Sequence, residues 1–156
     1  VTAMLAAGSL TTGIVANLLG RRGVSLVQVM GGGFVVFLGG QFAIVFAVDP
    51  TGLWPWLIFS HFIHIGLLSY PYLAAHFPRD YAGRSNTAMN VLAFLTAFVV
   101  QTFVGAVLDG FPPRPGGGYA PEGYALAFGI LAALQLAAFI WFLYGLATRP
   151  KAVSLR

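Results

Sequence analysis

Hydrophobic residues in this chain fall into five long runs, separated by short stretches rich in Gly, Pro, Arg and other polar residues. The runs cover residues 1–19, 24–48, 53–75, 85–108 and 124–148, and none contains Asp, Glu, Lys or Arg. A helix needs about 20 residues to cross the hydrocarbon core of a bilayer, so each run suits one span. Strands of a membrane barrel would be about 10 residues long and would alternate apolar with polar positions; these runs do neither. The pattern predicts an all-α fold: a polytopic transmembrane helical bundle of five membrane-spanning helices, in a single domain over residues 1–156.

Composition excludes a water-soluble alternative. Charged residues make up 8% of the chain and hydrophobic residues 58%, whereas soluble domains average about 25% charged residues and need them to cover their surface. Cysteine is absent, so disulfides and thiolate metal sites are excluded. No metal or other cofactor is expected, and neither is a nucleic-acid partner. The net charge of +4 comes from basic residues in short connections, where it reports orientation. Val1 opens directly in an apolar run with no basic region before it, which is expected of a chain that begins mid-protein.

The charge distribution sets a topology. Arg21 and Arg22, Arg79 and Arg84, and Arg149, Lys151 and Arg156 fall on one side of a five-helix threading. The other side holds Arg114 with Asp49, Asp109 and Glu122. Basic loops stay in the cytoplasm, so the amino end is expected outside and the carboxyl end inside. Trp54, Trp56, Tyr119 and Tyr124 then mark the outer interface, and Trp141 and Tyr144 the inner one. Residues 76–90 are the most polar run in the middle of the chain. They predict a basic cytoplasmic loop between the third and fourth helices.

Polar groups inside the runs are the candidate pathway residues. His61 and His64 lie three apart on one helix face, where imidazoles can relay protons, bind solute or tie helices together. Gln41 and Gln101 are amides at membrane depth, and Gln101 stands mid-run as the foremost candidate for lining a cavity. Gln28, Asn86, Asn90 and Gln135 are expected to join helices or line a pathway, with capping and packing the expected jobs of Asn86 and Asn90 at a helix start. Gly31–Gly33, Gly39 and Gly40 are small residues that let helix backbones approach closely in lipid.

Two connections resemble the conserved cytoplasmic turns of the major facilitator superfamily. In Gly13-Ile-Val-Ala-Asn17-Leu18-Leu19-Gly20-Arg21-Arg22, the residues Gly13, Gly20, Arg21 and Arg22 match the signature Gly-x-x-x-Asp-Arg-x-Gly-Arg-Arg. Asn17 replaces its acid and Leu18 its base. Gly20 is the residue expected to allow the reversal. In the second turn, the Pro-containing stretch from Tyr70 to Pro78 leads to Gly83-Arg84-Ser85-Asn86. The resemblance covers nearly the whole chain and implies a partial fold of that family, helices two to six or eight to twelve, with the degraded first motif and the short polar tail favouring the carboxyl-terminal eight to twelve. It implies a secondary transporter in the plasma (inner) membrane that moves a small solute, with proton coupling an option, alongside the missing amino-terminal helices and the lipid bilayer. It also implies that Gly13, Asn17, Gly20, Arg21, Arg22, Gly83 and Arg84 serve gating turns. The neutral Asn17 can offer only hydrogen bonds where the family's acid joins a charge clasp. Two other classes fit the composition: a non-catalytic membrane scaffold, and an intramembrane enzyme using His61 and His64. The chain lacks a buried acid, a nucleophile elbow and metal-ligand spacing, so it is not expected to be an enzyme.

Overall fold

The computed structural model describes residues 2–48, 52–114 and 116–148, with the backbone alone at Arg79. Asp49, Arg149, Lys151 and Arg156 of the charge count lie outside the described residues. The elements are α1 (Thr2–Arg21), α2 (Leu26–Val45), α3 (Trp54–Phe62), a 3₁₀ segment (Ile63–Leu68), α4 (Ser69–His76), α5 (Arg79–Asp109) and α6 (Pro121–Ala147). The fold is all-α. Five helical stretches are long and apolar enough to cross a membrane: α1, α2, Trp54–His76, Asp80–Asp109 and α6. Leu10, Phe94, Phe98 and Trp141 are strongly exposed, as expected where acyl chains rather than water form the surroundings.

The ends of the helices follow local chemistry. α1 closes with Val24 N–H donating to Leu19 O at 3.1 Å and Gly23 N–H to Gly20 O at 3.0 Å. These are the paired bonds of a Schellman cap, which needs a left-handed residue just past the helix. Gly23 supplies it at φ 84°. The reversal expected at Gly20 therefore falls three residues later, and Gly20 is an ordinary helical residue. α2 opens on a capping box in which Ser25 accepts from Gln28 N–H and the Gln28 side chain answers at Ser25 N–H. Gln28 is thus a cap rather than glue between helices. The far end of α2 repeats the Schellman bonds, with Ala47 at φ 46° in the left-handed place.

The polar run 76–90 is mostly helix, not loop. Only Phe77 and Pro78 separate α4 from α5. Pro78 is the N-cap of α5, and Asp80 lies in its first turn. Proline suits a helix start, and an acid there complements the helix dipole. Polarity alone does not break a helix, so Arg79, Asp80, Gly83 and Arg84 occupy the opening turns of a 31-residue helix.

The third apolar run is continuous in hydropathy but not in structure. Six residues, Ile63–Leu68, form a 3₁₀ helix between α3 and α4, longer than the three or four residues such segments usually reach. Pro71 lies in the next turn. It has no N–H for the carbonyl four residues back, at Leu67, and its ring crowds that oxygen. The Ser69 hydroxyl donates to Gly66 O at 2.6 Å, serving one of the carbonyls at the break.

Glycines seat the first half of this broken helix. An added Cβ at Gly8 of α1 would overlap the carbonyl oxygen of His61. At Gly40 of α2 it would lie 3.1 Å from Phe59 N, and at Gly33 2.5 Å from the Ile65 side chain. Ring contacts extend the seat to α6: Phe37–Phe59 centroids lie 4.9 Å apart and Phe59–Phe128 5.9 Å. α4, by contrast, packs chiefly on α5, where the Tyr70 hydroxyl donates to Asn90 Oδ1. The two halves of the broken helix therefore belong to different neighbours.

Gly8→Ala is expected to destabilise the protein by about 1–3 kcal/mol through this overlap. Gly13→Ala, where a Cβ meets nothing within 4 Å, should be neutral or stabilising by up to about 1 kcal/mol. Equilibrium unfolding in detergent micelles of both variants checks the difference, and equal stabilities would contradict the seat.

Candidate functional site

Where α1, α2 and the break in the third helix meet, they enclose a cleft of 300 Å³. Its wall is apolar except for Thr11 and Thr12 on α1, Gln28 on α2 and His61 on α3. Thr11 sits halfway along α1, the tenth residue of twenty from Thr2 to Arg21, and the cleft runs from there to Leu19, Val24 and Gln28 at the α1–α2 turn, open along the exposed Val15, Gly32 and Val36.

Hydrogen-bond accounting assigns a tautomer to His61. The Thr11 hydroxyl donates to Ala7 O at 2.7 Å, and a hydroxyl has a single proton to give. Its oxygen also lies 3.1 Å from His61 Nε2, so the imidazole is the donor there. Neutral His61 therefore carries its proton on Nε2 and presents the Nδ1 lone pair as an acceptor. This assignment follows from donor counting, the usual basis for histidine tautomers.

The other candidates do not converge on this cleft. His64, three residues on, lies in the 3₁₀ segment and does not line it. Its Nδ1 is buried without a hydrogen-bond partner among the described residues. Gln41 is 1% exposed and joins α2 to α6 by donating from Nε2 to Phe128 O at 3.0 Å, while its Oε1 is buried and unpartnered. Gln101 is exposed on α5, lines no cavity described here and forms no hydrogen bond among the described residues.

The turn residues are placed as follows. Gly13, Gly20 and Gly83 each face open space. Asn17 Oδ1 accepts from Arg21 Nε at 3.2 Å, a bond within one helical turn. Arg22 follows α1 in the Gly23 turn. The Arg84 guanidinium lies 5.8 Å from the centre of the Tyr81 ring. Among the described residues, no group of three His, Asp or Glu side chains could hold a metal ion.

Thr11 and Gly8 carry more of this site than their residue types announce. Thr11 is visible as part of a Thr-Thr pair in an apolar run, but a threonine that bonds its own helix is ordinary. Only the approach of α3 reveals it as the partner of His61. A larger depression of 720 Å³ at the opposite end holds Trp56, Arg114, Tyr119 and Glu122; both of its charged side chains are exposed.

No protein-family model matches the chain, and no curated protein or solved structure matches it. Fold and site together define an all-helical chain of membrane-spanning character, with a mostly apolar cleft beside a broken helix.

Thr11→Val is expected to weaken the fold by about 0.6–1.7 kcal/mol, the range for one hydrogen bond between membrane helices. It should also release the His61 tautomer. ¹⁵N NMR of histidine-labelled protein reads both ring nitrogens directly. Unchanged His61 shifts in the variant would rule out the Thr11 contact.

Proposed function

We infer that the chain is part of a secondary active transporter of the major facilitator type, moving a small solute by alternating access. The observation that carries this is the interruption of the third helix, in mid-span, beside a mostly apolar cleft that holds His61 and Thr11. Discontinuous helices at the bilayer midplane are where secondary transporters build solute and ion sites. The resemblance of the stretches at Gly13–Arg22 and Tyr70–Asn90 to the cytoplasmic turns of that family supports the same reading.

Gln101 adds a partner. An amide exposed at membrane depth is costly against acyl chains, so this face of α5 meets further helices of the same protein, its amino-terminal ones. On this reading the protein sits in a plasma (inner) membrane with the amino end outside, which the basic residues of the short connections support. His61 is the candidate for solute contact or proton coupling. Gln41 and His64 stand behind it in the packing between helices. No chemical transformation is assigned to the chain, and a gradient rather than ATP drives transport.

In proteoliposomes, the intact protein is expected to show saturable, gradient-driven solute uptake, and residues 1–156 alone none. Saturable uptake by the isolated 156-residue chain would overturn the half-transporter reading. No flux by the intact protein over a broad solute panel would favour a membrane scaffold instead.

A further inference from the structure

We propose that the cleft between α1, α2 and the broken helix binds a neutral, mostly apolar small molecule carrying one O–H or N–H donor. This rests on the transport reading and names its substrate class. Charge comes first. None of the thirteen residues lining the cleft is Asp, Glu, Lys or Arg. A charged ligand would leave water without a counter-charge, at a cost that membrane interiors rarely bear. α2 has no titratable side chain at all, and α1 has only Arg21 at its end.

Polarity comes second. His61 Nε2–H is committed to Thr11, and the Thr11 proton to Ala7 O. The Gln28 amide oxygen is held by the Ser25 cap. Gln28 Nε2 and the Thr12 hydroxyl remain as donors on the wall, while His61 keeps a pure acceptor, the Nδ1 lone pair, and that acceptor selects a ligand donor. Size and shape come third. The cleft volume of 300 Å³ sits at the lower end of the range of about 300–1,000 Å³ for small-molecule sites. Val29, Val36 and Phe62 make its wall apolar, which suits an aromatic or aliphatic body. Phenols and arylamines have this chemistry. Carboxylates and ammonium ions do not.

The intact protein in lipid nanodiscs offers the test. Equilibrium binding of para-ethylphenol is compared with para-ethylanisole, which lacks the donor, and with para-ethylbenzoate, which is an anion. The phenol is expected to bind about tenfold tighter than the ether, the effect of one buried hydrogen bond, with the benzoate weaker still. His61→Phe should erase the preference for phenol over ether. Gly32→Leu should abolish binding, because Gly32 lines the cleft and a Cβ there meets nothing within 4 Å, so the substitution adds bulk at the cleft wall without a clash at its Cβ.

Failure to bind the phenol, equal binding of phenol and ether, preference for the anion, or phenol binding that survives Gly32→Leu would each overturn the proposal. Flux assays on the same protein separate the two inferences. Cleft binding without any solute flux overturns the transport reading alone. Flux of other solutes without a phenol preference overturns the substrate class alone.

Discussion

Backbone lies on backbone where α3 crosses α1 and α2, and the rest of the structure is arranged around that approach. In water, burial of apolar side chains would drive such contacts; in lipid, that drive is absent, and close packing and interhelical hydrogen bonds take its place. Gly8 and Gly40 lack the atoms that would hold His61 and Phe59 away. With α3 drawn this close, His61 comes within hydrogen-bond reach of Thr11, and the Phe37, Phe59 and Phe128 rings close over the seat toward α6. The cleft exists because this approach is close at Gly8 and opens below it, along Thr11, Thr12 and Val15.

Below that seat the helix changes character. The 3₁₀ segment and Pro71 uncouple α3 from α4, and α4 is tied to α5 through Tyr70 and Asn90. One membrane-length helix thus has a half fixed to α1 and α2 and a half fixed to α5. On the proposed transport reading, this break is where the two sets of neighbours can tilt against each other. Arg84 lies by Tyr81 at the start of α5, beside the second half, and Asn17 by Arg21 at the end of α1, beside the first.

Much of this architecture was legible from residues alone, for a physical reason. Lipid demands long, uncharged runs, so the five spans announce themselves; of the glycines expected at close approaches Gly33 and Gly40 are there, Gly32 and Gly39 meet nothing, and the tightest seat, Gly8, carried no signal in the sequence. What stayed hidden was orientation and local geometry. Gln41 and Gln101 have the same chemistry, yet one is buried between α2 and α6 and the other is exposed on α5, because residue type does not say which way a helix is turned. The polar run after Pro78 reads as a loop by polarity but contains no breaker strong enough to stop a helix. Conversely, Ile63–Leu68 reads as continuous helix because its apolar side chains mask the backbone effect of Pro71. Gly20 and Gly23 differ only in φ, which no motif match can reveal.

The central claim is that the third helix is two units joined at Ile63–Leu68, the first held by glycine seats. Hydrogen–deuterium exchange of the protein in a lipid bilayer reads this most directly. Amides of Leu57–Phe62 should be strongly protected, and those of Ile63–Leu68, with poorer hydrogen-bond geometry beside Pro71, should exchange measurably faster. Uniform protection from Leu57 to His76 would mean an unbroken helix and would contradict the account.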